Sequence, residues 1–297
     1  MKPGYLARIY LILFFNAVLV QIAAAQLTED SMKVEIPKTK LEISVEGLSN
    51  AIYAGRNFGV DQSGLNPSIT FNHKSGFNLS VYSYGMSKTP GLIQETDLGI
   101  SYSWHLSSHI NITPGYSYIF NRTDSANILN NNINVNTGLE LSFISISNYF
   151  AFSFGKSTAL YDELSASKYF SLLSKAGINV SLSPTFVWVL GTKQALATIA
   201  HGKTSYKTKV GKGISNGNGH VHSTTTTTSV DTTNQFMSFS YDFMLPVTLT
   251  VKNLAFSVIP HYDIPVNITP AESTLTGNPL YISVKIAYTI PFQGKLK

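Results

Sequence analysis

The clearest pattern in the chain is an alternation of apolar and polar residues with a period of two. Between Phe236 and Val251, one face would carry only apolar residues: Met237, Phe239, Tyr241, Phe243, Leu245, Val247, Leu249 and Val251. The other face would carry mostly small or polar residues: Ser238, Ser240, Asp242, Met244, Pro246, Thr248 and Thr250. Because successive side chains of a strand point to opposite faces, the pattern predicts a strand between an apolar and a polar environment.

The same pattern recurs and predicts twelve strands. We expect them at residues 41–54, 66–74, 77–87, 95–106, 109–121, 132–143, 147–156, 165–174, 177–191, 236–251, 254–267 and 280–292. Their connections alternate in length without exception, because tight turns such as Ser107-Ser108 and Lys252-Asn253 lie between longer connections such as Ser157 to Leu164. An even number of strands with short turns at one end and longer loops at the other is typical of bacterial outer-membrane barrels.

These strands predict an all-β fold, a transmembrane antiparallel up-and-down β-barrel of about 12 strands. A tilted crossing of the bilayer takes roughly 9–11 residues, whereas the strands of soluble sheets are usually nearer 5 or 6. Charged residues make up 12% of the chain, about half of the roughly 25% that is usual in soluble domains. A secreted β-sandwich or jelly roll is the alternative.

The N-terminus has the features of a secretory signal peptide. Lys2 and Arg8 precede an apolar stretch from Ile9 to Ile22, and the small residues Ala23 to Ala25 form a cleavage site ahead of Gln26. We therefore divide the chain into a signal peptide (1–25), a periplasmic segment (26–40), the barrel (41–292) and a short tail (293–297). The chain has no cysteine, so pairing and packing alone must hold the fold.

The last predicted strand and the net charge indicate the partners. Ile282, Val284, Ile286, Tyr288, Ile290 and Phe292 form the alternating, aromatic-ended signal that barrel-assembly machinery reads. We also expect contacts with outer-membrane lipid and lipopolysaccharide. Loss of the signal peptide lowers the formal charge from +5 to +3, and we expect no nucleic-acid partner, because such binding requires a basic stripe with stacking aromatic residues.

Four segments resemble uncharacterised outer-membrane β-barrel proteins of the Bacteroidetes type. The segments are YAGRNFGV at 53–60, NPS at 66–68, HKSG at 73–76 and PHYDIPVN at 260–267. The resemblance implies an outer-membrane location and a barrel fold. It brings no established activity to this chain.

If the apolar faces contact lipid, the remaining ionisable side chains face the lumen. These lumen-lining candidates are Glu42, Glu46, Asp97, His105, Glu140, Asp242, His261, Asp263 and Lys285. Six acids and one lysine would favour cations through electrostatic focusing. The alternative is that these residues stiffen and plug a narrow barrel, since twelve strands lie between the filled and the open regimes.

Catalysis and metal binding have little support in the sequence. Ser, His and Asp are abundant on the predicted inner face, which invites comparison with the outer-membrane phospholipase, also a twelve-stranded barrel. That enzyme, however, needs its serine and histidine on the lipid side. We therefore expect no enzyme activity, no cofactor and no metal. His220 and His222 form a His-x-His pair, which supplies too few ligands for a closed zinc site.

The long connection from Thr192 to Gln235 holds a basic patch of Lys203, Lys207, Lys209 and Lys212. Its Gly-, Asn- and Thr-rich composition favours a solvated external loop, and loops of this length are often functional or disordered. Two functions remain open. One is a narrow pore or passive transporter for small solutes; the other is a non-conducting structural or surface-interaction barrel that uses this loop.

Overall fold

The computed structural model describes residues 38–50, 63–87, 93, 95–121, 129–155, 158–192, 236–268 and 279–292. Its strand segments are β1 (Lys40–Leu48), β2 (Gly64–Asn72), β3 (Phe77–Met86), β4 (Glu95–Tyr102), β5 (Trp104–His105), β6 (Ile110–Asn121), β7 (Asn131–Glu140), β8 (Ser145–Phe154), β9 (Thr158–Ser167), β10 (Phe170–Lys175), β11 (Ile178–Leu182), β12 (Thr185–Thr192), β13 (Phe236–Met244), β14 (Val247–Val251), β15 (Leu254–Pro265) and β16 (Leu280–Pro291). No described residue belongs to a helix long and apolar enough to span a membrane.

Antiparallel pairing closes these segments into one barrel. The first and last segments pair over the whole of β1, from Lys40 opposite Pro291 to Leu48 opposite Ser283. Four crossings of the wall are interrupted once and consist of two segments each, namely β4 with β5, β9 with β10, β11 with β12, and β13 with β14. The sixteen segments therefore form a closed antiparallel barrel of twelve crossings, and the predicted fold class is confirmed.

Residues opposite each other in paired strands share a face, so the register separates the outer wall from the inner wall. The outer wall is an exposed apolar belt, with members such as Ile43, Ile69, Leu79, Ile100, Phe256 and Ile286. The inner wall holds small polar residues that bond across strands, as between the hydroxyls of Ser44 and Ser68 (2.7 Å) and of Thr248 and Ser257 (2.8 Å). Such a wall suits lipid outside and water inside.

Three of the four interruptions lie opposite a proline on the neighbouring crossing, namely those between β9 and β10, between β11 and β12, and between β13 and β14. Proline has no backbone N–H, so a proline in a ladder accepts a hydrogen bond from its partner but cannot return one. The amides of Lys168, Ser183 and Leu245 donate to the carbonyls of Pro184 (3.1 Å), Pro246 (3.0 Å) and Pro260 (3.1 Å), respectively. These prolines lie on neighbouring crossings, and the interruptions at Pro184 and Pro246 separate β11 from β12 and β13 from β14.

The eighth crossing corrects the predicted pattern of connections. The sequence places a loop from Ser157 to Leu164, whereas β9 begins at Thr158 and pairs with β8 from Phe154 opposite Thr158 to Ser145 opposite Ser167. The strict alternation of long and short connections is therefore wrong at this point. The strand was not predicted because Asp162 and Glu163 interrupt the apolar alternation. Asp162 lies on the outer face, where the sequence pattern requires an apolar residue.

The tenth crossing corrects the predicted faces. Val189 lies opposite Ser240 but Leu190 lies opposite Ser238, so the register shifts and Phe239 is an extra residue in β13. Phe239 consequently faces inward and has 0% exposed surface, whereas the sequence predicts that it faces lipid. Ser238 takes the outer face and accepts a hydrogen bond from the Trp188 indole at 3.0 Å.

The close packing of Phe239 predicts a glycine requirement at position 191. A Cβ at Gly191 would lie 2.6 Å from Phe239 Cε2 and 2.8 Å from the backbone oxygen of Leu160. We expect Gly191→Ala to reduce the free energy of unfolding by about 1–3 kcal/mol, as other overpacked sites do. Denaturant unfolding of the barrel in detergent micelles, followed by tryptophan fluorescence, measures this change.

Gly47→Ala is the matched control, because a Cβ at Gly47 meets no atom within 4 Å. Equal unfolding midpoints for the two variants would contradict the inward packing of Phe239.

Candidate functional site

The inner wall is strongly acidic. In the described part of the chain, the register places eight carboxylates on this face: Glu42, Glu46, Glu95, Asp97, Glu140, Glu163, Asp242 and Asp263. Lys40 and Lys285 are the lysines that share it, together with His105 and His261. Among the described residues, the inner wall therefore carries an excess of negative charge, which attracts cations.

An open cavity of about 260 Å³ lies on one side of the lumen. It is bordered by β1, β2, β3, β4 and β16, and its ionisable and aromatic lining includes Glu46, Tyr82, Tyr84, Glu95, Asp97 and Lys285. Tyr82 lies opposite Asp97, and Tyr84 lies opposite Glu95. Although Tyr82 is on the inner wall, 51% of its surface is exposed, so this side of the lumen is open.

The opposite side of the lumen is packed. Val187 and Val189 of β12 face inward and are buried, and so are Phe239 and Ser240 of β13. The lumen is therefore asymmetric in cross-section. An open side faces a side that side chains fill, and carboxylates lie on both.

A buried network joins three neighbouring crossings beside the cavity. His261 Nδ1 lies 3.0 Å from Asp242 Oδ2, and His261 Nε2 lies 3.2 Å from the Ser283 hydroxyl. The ring of Tyr281 stacks on the His261 ring, with centroids 4.2 Å apart and an angle of 11° between the planes. With a proton on Nδ1, His261 donates to Asp242 and accepts from Ser283, so both of its ring nitrogens are satisfied.

The order Ser283, His261, Asp242 is that of a nucleophile, a general base and its orienting acid. However, Ser283 has 0% exposed surface. It also lies within regular ladders, opposite Leu48 and Ile259, so the strand backbone around it is engaged in pairing rather than arranged as an oxyanion hole. These features favour a role in tying β13, β15 and β16 together.

The remaining predicted lumen residues lie in different surroundings. His105 is exposed near the turn that joins β5 to β6, and Glu140 accepts a hydrogen bond from Ser145 beside the turn that joins β7 to β8. Asp263 lies opposite Asp242. Lys285 belongs to the cavity and places its Nζ 3.8 Å from Glu42 Oε1. The predicted basic patch of Lys203, Lys207, Lys209 and Lys212 lies outside the described residues.

The sequence prediction left out several residues of the lumen. Glu163 was missed because its segment was interpreted as a loop, and Glu95 because it is the first residue of its strand. Tyr82 and Tyr84 were not among the predicted lumen residues because they are aromatic, although their alternation with Ser80 already indicates the inner face. In the described residues, no group of three or more His, Asp or Glu side chains is arranged to hold a metal ion.

Comparison with known proteins gives no family. No protein-family model matches the chain, and no curated protein matches it. Similar solved structures include a KdgM porin in complex with disordered oligogalacturonate, at 13% identity and a TM-score of 0.43, covering 86% of this chain and 99% of the porin. The NanC porin is 6% identical with a TM-score of 0.42, covering 86% of this chain and 99% of its own.

LpxR from Salmonella typhimurium is also similar, at 10% identity and a TM-score of 0.39, with 84% of this chain and 99% of LpxR covered. At such low values these likenesses decide nothing about activity, and the fold assignment rests on the strand pairing above. The kinship with Bacteroidetes-type proteins stays a prediction.

The buried network predicts a stability defect when its central ring is removed. His261→Ala would leave the buried Asp242 carboxylate without the hydrogen-bond donor that His261 supplies, which typically costs about 1–3 kcal/mol. We expect a clearly lower unfolding midpoint in detergent micelles. His105→Ala is the control, because that ring is exposed and its loss should change stability by less than about 0.5 kcal/mol. Equal midpoints would contradict the tie between β13, β15 and β16.

Proposed function

We propose that the protein is an outer-membrane β-barrel that acts as a narrow, cation-preferring pore for small solutes. The observation that carries this proposal is the open half of the lumen, where Glu46, Glu95 and Asp97 border a cavity of about 260 Å³. The exposed apolar belt on the outer wall supports a membrane location, since it would otherwise meet water. Lipid and lipopolysaccharide would surround this belt.

The arrangement of charge supports a preference for cations. Carboxylates in a cleft with low-dielectric walls focus the field and raise the local concentration of counter-ions. Lys285 lies near Glu42, at 3.8 Å, which offsets the positive charge at the cavity. The packed half around Phe239 narrows the passage and so favours small solutes over large ones.

The alternative of a non-conducting barrel has support only from the packed half of the lumen. Side chains fill barrels of eight strands, and this barrel of twelve crossings combines a filled half with an open half. The surface-interaction form of that alternative depends on the loop 192–235, whose lysines lie outside the described residues.

Single-channel recording in planar lipid bilayers tests the pore. Under a KCl gradient, we expect discrete conductance steps and a reversal potential whose sign shows that K⁺ is more permeant than Cl⁻. The double variant Glu95→Gln, Asp97→Asn should lower the ratio of cation to anion permeability several-fold, because it removes two of the carboxylates at the cavity.

Asp162→Asn is the matched control for this experiment. Asp162 is also a buried acid of the wall, but it lies on the outer face and accepts a hydrogen bond from Asn148, so its neutralisation should leave selectivity unchanged. Absence of conductance above background in the wild-type protein would overturn the pore, and equal selectivity of all three proteins would overturn the role of the acidic cavity.

A further inference from the structure

We propose that the lumen cavity is a binding site for small hydroxylated primary amines of amino-sugar size. The inference deepens the proposed function and rests on it, because the solute would reach the cavity through the pore. It draws on four properties of the cavity: its charge, its unpaired acceptors, its aromatic lining and its volume.

The carboxylates that line the cavity favour a cationic ligand. Glu46 lies directly opposite Lys285 across the β1–β16 pair and opposite Asn66 across the β1–β2 pair. Lys285 also has Glu42 within 3.8 Å, so one lysine faces two carboxylates of β1. Glu95 and Asp97 of β4 add two further carboxylates to the lining.

Two buried acceptors indicate a ligand that donates hydrogen bonds. Asp97 Oδ1 and Asn66 Oδ1 are both shielded from solvent, and neither has a hydrogen-bond partner in the described part of the chain. An acceptor left unsatisfied in this way is destabilising. A primary ammonium carries three donors and no acceptor, so it complements a carboxylate of β4 and an amide oxygen of β2 that line the same cavity.

The tyrosines and serines of the lining suit the rest of such a solute. The faces of Tyr82 and Tyr84 offer π surfaces that attract ammonium groups and pack against apolar ring faces. Ser44 and Ser68 line the same cavity and offer hydroxyls to a polyol. A residue set that mixes acids, aromatic rings and small hydroxyls is matched by an amine that also carries hydroxyl groups.

The volume and the spacing of the acids favour an organic cation over a metal ion. A cavity of about 150 Å³ is enough for benzene, and this one has about 260 Å³, so roughly ten to twelve non-hydrogen atoms fit by that scale. The carboxylates come from separate positions on β1 and β4 and do not converge, since no metal-holding group occurs among the described residues. A larger ion with distributed donors satisfies them better.

Calorimetric titration of the purified full-length protein in detergent micelles tests the site. Glucosamine and glucose are the two probes, because they have the same ring and differ in one amine for one hydroxyl. We expect glucosamine to bind at least about tenfold more tightly, since its ammonium makes charge-assisted hydrogen bonds that a hydroxyl cannot make.

Two variants test which residues recognise the amine. Asp97→Asn should reduce the preference for glucosamine to about threefold or less, and Asn66→Leu should weaken both probes, because it removes an acceptor without removing charge. Asp162→Asn should bind both probes like the wild-type protein. Heat-modifiable migration in gels establishes that each variant is folded.

The outcomes separate this inference from the proposed pore. Equal affinity for the two sugars, or a preference that survives Asp97→Asn, would overturn the amine site even if the protein conducts ions. Tight, Asp97-dependent binding of glucosamine by a protein without conductance would support the site and overturn the pore. Weak binding that requires very high concentrations of either sugar and does not distinguish glucosamine from glucose would also overturn the site.

Discussion

The structure depends on the pairing between its first and last strands. In hydrocarbon, every backbone N–H and C=O must find a partner within the protein, so a membrane sheet is stable only when it has no edge. The pairing of β1 with β16 along all of β1 removes that edge. Closure then determines which side chains face lipid and which face the lumen, and the acidic wall follows from that division.

Closure leaves an interior that is neither empty nor full. The extra residue Phe239 in β13 turns a large ring inward against Gly191, and Val187 and Val189 complete the packed half. Across the lumen, the small or polar residues Ser44 and Asn66 leave space beside the carboxylates. The His261 network, with Asp242 and Ser283, holds the crossings between the two halves. The open side and the packed side thus share one ring of strands, and carboxylates lie on both.

The barrel and its number of crossings could be predicted from the sequence, because alternation with a period of two extends over whole crossings and tight turns punctuate it. The local faces could not be predicted where a bulge intervenes, since one extra residue at Phe239 exchanges the two faces and leaves no mark in the composition. The strand that contains Asp162 could not be predicted either. A hydrogen bond from Asn148 satisfies this acid on the outer wall, where the sequence pattern requires an apolar residue. The cavity depends on distances between strands, and the sequence does not contain them.

Disulfide formation between β1 and β16 tests closure most directly, since the chain has no cysteine of its own. Ser44 and Ala287 are directly opposite on the inner wall, and Ala255 is opposite Ala287 on the next strand. In oxidised membranes, we expect a disulfide in the Ser44→Cys, Ala287→Cys protein and in the Ala255→Cys, Ala287→Cys protein. We expect none in the Ser44→Cys, Ala255→Cys protein, because the Cα atoms of residues 44 and 255 lie about two strand spacings apart, roughly 9–10 Å, beyond the reach of a disulfide. A disulfide between positions 255 and 287 without one between 44 and 287 would contradict a closed barrel.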